Sequence, residues 1–569
     1  MAASTMHPLA QARSATAPPA TPQHRGIPVW RHIGATPAAS RQEPRASVVI
    51  AGAGPVGLAM ALDLARRGHA VVVISRLDFV PGGSKAICFS KRSLDIFERL
   101  GVGQTLLDKG VTWNVGKVFW GARAEPIYQF DMLPIKDQQY PGFINIQQYY
   151  VEEALLDALR ALPNVQLRLG QNIESLQVLA DHVRLGVQAG AQHYTQEADW
   201  LIACDGSKST LRGLMGLDFN GRVFEENFLI ADIRMPQERP AERWFWFDPP
   251  FNPGQSALMH RQPDGLWRLD FQLGWGIDRE ACAQPENVER YVRAMLGPGV
   301  PFTTEWHSIY TFQCRRMDRF VHGRVLFAGD SAHLVSPFGA RGCNGGLADT
   351  DNLGWKLDRV LRGESGQALL ESYNDEAIAM ADENILHSSR STDFLTPKSA
   401  ASRALRNAVL ELAAREAWAR PFVNSGRLST AIPCPHSALN TADDQPWEGG
   451  LCPGAPAVDA PLAGHWLLPR LGGRFVLLAH QWHEALPAGV ELLDIAALGD
   501  TALLQARYAL APGCGYLIRP DQYVAARFQA PVAASVLQAA LDTACACDSA
   551  STGAAPLPTR FTTDTGARP

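Results

Sequence analysis

The chain lacks any apolar run approaching the ~18 residues of a membrane-spanning helix, so a helical membrane protein is excluded. It lacks a CxxC pair: ten cysteines are scattered along it, and Cys545 and Cys547 have the wrong spacing for a zinc ribbon or a thioredoxin-type redox motif. No metal centre is expected, and the cysteines read as reduced, mostly buried small residues of a cytoplasmic protein. It lacks an excess of either charge. A net charge of −5 gives no electrostatic case for nucleic acid or an anionic membrane as a partner. Acids are nearly absent from the first 44 residues, where Glu43 stands alone among Ala, Pro, Ser, Thr and Arg. Such a segment cannot bury enough apolar surface to offset its ordering entropy, so residues 1–44 are expected to be a disordered tail. They also lack the apolar core of a secretory signal; a transit peptide, or a start at Met6 or later, are the alternatives.

What is present is globular: 569 residues, 46% of them hydrophobic, enough for two or three domains. The first folded stretch, Ser47 to Ala51, reads as a buried strand. It runs into Gly52-Ala53-Gly54-Pro55-Val56-Gly57, then a helix marked by Leu58, Ala61, Leu62 and Ala65, then a strand Val71–Ile74. This is G-x-G-x-x-G inside a βαβ unit, the dinucleotide fingerprint in its required context. The first glycine makes the turn, the second admits a pyrophosphate, and the third lets helix and strand pack. The acid expected to end the second strand is missing. Ser75 stands there, a weaker ribose partner, with Asp78 as a substitute from the loop. Lys85 is a cation available to a pyrophosphate.

Two further strand-to-acid junctions follow. Trp200 to Cys204 leads into Asp205-Gly206, extended as D-G-x-x-S-x-x-R. Val325 to Ala328 leads into Gly329-Asp330 and a glycine-rich loop, after which Leu347, Leu353, Leu357 and Leu361 mark a helical face. A carboxylate there can accept hydrogen bonds from sugar hydroxyls, and free amides at Cys343 and Asn344 sit near a helix N-terminus that favours negative charge. Residues 113–146 and 218–320 are aromatic and strand-rich, one inserted β region able to roof a flat apolar substrate. Helical patterns run on to about residue 419, giving a helical connection over 401–429. A third unit over 430–547 has strands at Phe475–Leu478 and Val490–Asp494 and ends near Gly515–Arg527. Residues 548–569 read as a second disordered tail.

The three junctions together resemble the FAD-dependent aromatic hydroxylases of the para-hydroxybenzoate hydroxylase type (group A flavoprotein monooxygenases). The larger members include phenol and 3-(3-hydroxyphenyl)propionate hydroxylases. The likeness covers roughly residues 45–400. It implies an α/β fold: a Rossmann-like FAD-binding domain with an inserted mixed or antiparallel substrate-binding sheet, and a C-terminal thioredoxin-like α/β domain that, without CxxC, is structural. It implies that Gly52, Gly54 and Gly57 take the FAD pyrophosphate, with Lys85 where the family often has arginine. Gln148 faces the ribityl or adenosine side, Asp205 serves FAD and nicotinamide access, and Gly329-Asp330 holds the ribitol. Pro337 lines the isoalloxazine edge, and Gly342, Cys343 and Asn344 meet its N1 and C2 oxygen. Ala340-Arg341 replace the usual Gly-Gln. The implied chemistry is reduction by NADH or NADPH, reaction with O2 to a flavin C4a-hydroperoxide, and hydroxylation of a small phenolic substrate, with a homodimer left open. His260, Arg261, Tyr310 and Gln313 are the candidates for a substrate base, with no choice among them, and His333 is read as structural or flavin-proximal. Larger polyketide quinones, or flavin binding without hydroxylation, are the alternatives; a dehydrogenase using only the first unit leaves Asp205 and Asp330 unexplained.

Overall fold

The computed structural model describes residues 23–24, 27–37 and 40–547, apart from 84, 132, 134, 238, 424–428 and 445. The tails expected over 1–22 and 548–569 lie outside the described residues. For residues 27–37 and 40–44 the expectation of disorder is corrected. Ile27–His32 is a strand paired with Phe79–Pro81. Trp30 stacks on Tyr149 with ring centroids 4.1 Å apart, and Arg31 pairs with Glu153 and Asp157. The lone acid, Glu43, is buried against Arg168 at 2.8 Å. Composition averaged over this segment misses partners that lie far along the chain.

The first sheet begins with β1 (Ala46–Ala51), and α1 (Pro55–Arg66) follows it with proline in its first turn, where no backbone donor is needed. Next come the fully buried β2 (Val71–Ser75), α2 (Lys91–Arg99) and β3 (Val115–Trp120). The helix α3 (Gln148–Arg160) leads to β4 (Val165–Leu169), β5 (Gln171–Val178), β6 (Val183–Ala189) and β7 (Gln192–Ala203). A second sheet takes β8 (Asn220–Arg234), β9 (Arg243–Phe247), β10 (Ser256–Arg261), β11 (Leu266–Gly274) and β12 (Thr303–Arg316). The chain then returns to the first sheet as β13 (Val325–Phe327), followed by α4 (Gly342–Leu361) and α5 (Ala368–Leu395).

In the first sheet the order is β4-β2-β1-β7-β6-β5, with β13 also on β7. The β4, β2, β1, β7 and β13 pairings are parallel. One long strand, β7, serves two ladders: its first half pairs antiparallel with β6, and its last residues lie between β1 and β13. The apolar runs of β1, β2 and β13 follow from burial on both faces. The second sheet is antiparallel from β12 through β8, β11 and β10 to β9, and then adds β3 in parallel. Phe143–Asn145 leaves that sheet and pairs with Cys88–Ser90, against the reading of 113–146 as one strand region.

The C-terminal sheet contains β14 (Phe475–Ala479), β15 (Val490–Asp494), β16 (Gly515–Ile518) and β17 (Val524–Phe528) in the order β15-β14-β16-β17. Its parallel β14–β15 pair beside two antiparallel neighbours is a thioredoxin-like arrangement. It docks on α4 and α5 through buried charges. Arg519 makes two hydrogen bonds to Glu376 (2.7 and 3.0 Å) and two to Asp521 (2.9 and 2.5 Å), and Lys356 reaches Glu376 at 2.7 Å. Arg92 of α2 joins Asp351 to Gln522 across the same seam.

Candidate functional site

A cleft of about 670 Å³ opens at the carboxyl ends of β1, β2, β7 and β13 and runs on to the face of the second sheet. Ligands of open parallel sheets bind at this edge because the strand ends and helix N-termini converge there.

The three glycines after β1 divide by what the chain requires of them. Gly52 has φ +107°, and a Cβ there would lie 2.2 Å from the Cys204 carbonyl oxygen. A Cβ on Gly57 would lie 2.1 Å from the Gly52 oxygen. Both are needed to hold helix, strand and β7 together. Gly54 is different. Its φ is −82°, which any residue adopts, and a Cβ there would meet nothing within 4 Å. The fold itself does not require a glycine at this point, and the space in front of it opens into the cleft. Gly54 is also the N-cap of α1, with no side chain capping the helix, so the first-turn amides are offered to the cleft. The N-terminus of α4 is likewise uncapped by a side chain, and its first residues Gly342 and Cys343 line the cleft.

Carboxylates ring the same space. Asp330 reaches into it just beyond β13, and desolvation raises its carboxyl above the usual range against the pull of His333 and Lys85. Asp205 accepts from the Leu211 amide through Oδ2 (3.1 Å), while Oδ1 is buried with no partner among the described residues. Gln148 holds the Ala86 amide (3.1 Å) and donates to Glu152 (2.8 Å). Glu152 was missed in the sequence: it is one helical turn beyond Gln148 on the face that also buries Leu155 and Leu156. Burial pushes its carboxyl up to about 7, against the Gln148 hydrogen bond and the Lys85 charge. The native protein therefore binds a proton that the unfolded chain has shed. The resulting loss of stability is absent below pH 4.5 and complete above about pH 7, where it reaches about 3 kcal/mol. Flavin-free Glu152→Gln is expected to lose this pH dependence. Denaturant midpoints across that range measure it, and a constant offset between the two proteins would contradict a desolvated carboxyl.

Some other sequence-derived candidates fall elsewhere. Gly57 and Gly329 do not line the cleft; Gly329 turns with φ +63° and donates to Asp349 (2.8 Å) behind the wall. Ser75 does line the cleft, with its hydroxyl accepting from the Leu77 amide (3.3 Å), and Arg76 lines it too, whereas Asp78 does not. The side chain of Asn344 is used up by the protein. It accepts from the Ser90 amide (3.0 Å) and the Ser93 hydroxyl (2.6 Å) and donates to the Cys88 carbonyl (3.0 Å). The side chain thus clamps α4 to α2, and only the backbone amide is left for the expected role at the helix start. Pro337 and Cys343 do face the cleft, and desolvation holds the Cys343 thiol protonated.

Of the base candidates, His260, Tyr310 and Gln313 line the cleft and Arg261 does not. His260 is buried, and desolvation lowers it to about 4. The Asn145 and Gln262 side-chain amides each lie 3.2 Å from Nδ1, so the proton sits on Nε2, 3.7 Å from Asp270. In that tautomer Nε2–H is a donor, and the Nδ1 lone pair faces the two amides. His333 pairs with Asp349 (2.7 Å) and is outside the lining, in keeping with a structural role.

A βαβ unit with an open glycine, an uncapped helix start beside it and an orphaned carboxylate oxygen define a dinucleotide-binding α/β protein. The description "FAD binding domain" matches residues 45–388, and the chain belongs to that family. FAD is the cofactor these residues fit. Among curated relatives, the 3-(3-hydroxy-phenyl)propionate/3-hydroxycinnamic acid hydroxylase of Klebsiella pneumoniae is 30% identical over 349 residues, 60% of this chain and 61% of the relative. A second such hydroxylase, from Burkholderia vietnamiensis, is 30% identical over 65% of this chain and 67% of its own. The chain thus spans about 61% of the first relative's length. Similar solved structures are the flavin-dependent monooxygenase PieE in complex with FAD and substrate (TM-score 0.73, 21% identity, 89% of this chain and 100% of that one) and aklavinone-11 hydroxylase with FAD and aklavinone (TM-score 0.73, 20% identity, 89% and 99%). At these identities they establish the shared fold.

Proposed function

We propose that the protein is an FAD-dependent monooxygenase that hydroxylates a phenolic aromatic compound with NAD(P)H and O2. The observation that carries this reading is the continuity of one cleft. Its glycine- and carboxylate-lined end suits a dinucleotide. Its other end is walled by Phe228, Leu258, Phe312 and Phe338, which suit a flat apolar ring. Gly54 and the α1 amides would hold the pyrophosphate; Asp330 and Gln148 would accept from or donate to the polyol. The first-turn amides of α4 would favour negative charge at the ring edge beside Pro337. When bound, FAD supplies the redox chemistry, accepting a hydride from NAD(P)H and activating O2 for transfer to the substrate ring. The aromatic wall keeps water away from that transfer and orients the ring carbon. The C-terminal unit over 430–547 is assigned a structural role.

The test is NAD(P)H oxidation by the flavin-loaded protein across a panel of phenols and phenolic acids, with hydrogen peroxide assayed in parallel. At least one compound is expected to accelerate oxidation with little peroxide released. A protein that holds flavin but is stimulated by nothing in the panel would favour flavin binding without hydroxylation, or a larger polycyclic substrate.

A further inference from the structure

The cleft contains a buried cation that pairs with no carboxylate among the described residues. Arg243, on β9, is 5% exposed and lines the cleft on its second-sheet side. Its one hydrogen bond is to the Cys88 thiol, at 3.4 Å, and burial keeps that thiol protonated and neutral. Its Nε has no partner. The rings of Phe245 and Trp113 lie 5.1 and 5.8 Å from the guanidinium, and no carboxylate among the described residues pairs with it. Neither nearby acid is within ion-pair distance of it. Asp232 is held bidentately by Arg268 (2.8 and 3.1 Å), and Asp270 faces His260.

The position is fixed rather than loose. Cys88 also donates its thiol hydrogen to Asn145 (3.1 Å), which accepts from Trp113 (2.9 Å), and the Cys88 carbonyl accepts from Asn344 in the first turn of α4. One residue, Cys88, therefore spans the gap between Arg243 and the helix start that would face the flavin ring. A desolvated guanidinium left unpaired is costly, and nothing in the sheet calls for a charge at this point in the Arg-Trp-Phe-Trp-Phe strand. Its five donors form a planar fork that matches a carboxylate in two-point contact.

We infer that Arg243 is the substrate-anchoring residue of this cleft, and that the aromatic substrate carries a carboxylate that completes its ion pair. A carboxylate fits better than a phenolate, because it is ionised at neutral pH without help from a base. This inference rests on the proposed reading of the cleft as a flavin and aromatic-substrate site.

The experiment separates the two claims by reading binding apart from turnover. Flavin-loaded protein is titrated with 3-(3-hydroxyphenyl)propionate, with its uncharged alcohol 3-(3-hydroxyphenyl)propan-1-ol, and with 3-phenylpropionate, while the flavin absorbance is followed. The two carboxylates are expected to bind the wild type more tightly than the alcohol. Arg243→Gln should weaken both acids by about 100-fold and move the alcohol by less than about 3-fold, and Arg243→Lys should fall between. Equal binding of acid and alcohol to the wild type overturns the inference without any variant. So does a parallel loss of acid and alcohol in Arg243→Gln. If only the hydroxylated compounds depend on Arg243, the anion is a phenolate and the carboxylate assignment is overturned. Loss of FAD itself from both variants would make Arg243 a cofactor residue and also overturn it. Arg243-dependent binding of the acids without any stimulated NAD(P)H oxidation would uphold this inference and overturn the monooxygenase reading.

Discussion

Replacing Gly54 by valine is expected to give a folded protein that purifies without flavin. The two neighbouring glycines make the comparison sharp. A side chain on Gly52 or Gly57 would collide with backbone oxygens at 2.2 and 2.1 Å, so alanine there should destabilise the fold itself. At Gly54 the backbone φ is ordinary and a Cβ would meet no protein atom within 4 Å. The valine methyl groups would instead occupy the approach to the α1 amides and replace a pyrophosphate contact with an apolar surface. Far-ultraviolet circular dichroism and the denaturation midpoint should match the flavin-free wild type, while the absorbance near 450 nm, a general flavin property, is lost. Full flavin occupancy in Gly54→Val would refute the pyrophosphate assignment. Unfolding of that variant would mean instead that Gly54 serves the fold.

The second large effect concerns the seam between α4, α5 and the C-terminal sheet. Arg519→Met is expected to destabilise the protein by about 3–5 kcal/mol, because it strands buried carboxylates without their cation. Arg519 and Lys356 are completely buried, and Glu376 and Asp521 are 3% and 1% exposed. Desolvation alone would raise the Glu376 carboxyl, but Arg519 and Lys356 hold it well below the usual carboxylate range. The sign follows from that depression. The stabilising contribution is complete above the unfolded value of 4.5 and is lost as pH falls through the lower native value. The wild type should therefore resist acid further down than Arg519→Met. Denaturant unfolding at neutral pH and an acid titration followed by tryptophan fluorescence check both parts. A neutral-pH loss under about 1 kcal/mol would mean that water or relaxation replaces the cation.

Much of the cofactor end was legible because its signals are local. Strand, Gly52 to Gly57 and helix lie within about twenty residues, and both the apolar runs and the glycine spacing have a direct physical reading. The same holds for Asp205 and Asp330, each the first acid after a buried strand, and for the C-terminal strands. What failed were side chains whose partners are remote. Asn344 reads as a site residue because it opens a helix, yet its hydrogen bonds go to Ser90 and Ser93, 254 and 251 residues away. Residues 27–44 read as a tail until Trp30, Arg31 and Glu43 find Tyr149, Glu153 and Arg168. Arg243 passes unnoticed within an aromatic strand because no local pattern marks a charge that pairs with no carboxylate among the described residues. Glu152 is the case that closer reading could have found: a carboxylate on the buried face of an amphipathic helix, one turn from a cleft residue.

The walls of the cleft are drawn from Ile33 through Cys343, and β1 gains its neighbour β7 only after some 150 residues of intervening chain. During synthesis at about 5–20 residues per second, the ribosome needs roughly 20–70 s to deliver the last of these residues. Until then the buried strands β1 and β2 have an open edge and no cofactor can be held. Capture of FAD is therefore a late event in the life of each new molecule. The yield of flavin-loaded protein in a cell should follow the free flavin available at that moment, and supplementing a growing culture with riboflavin should raise the flavin-loaded fraction.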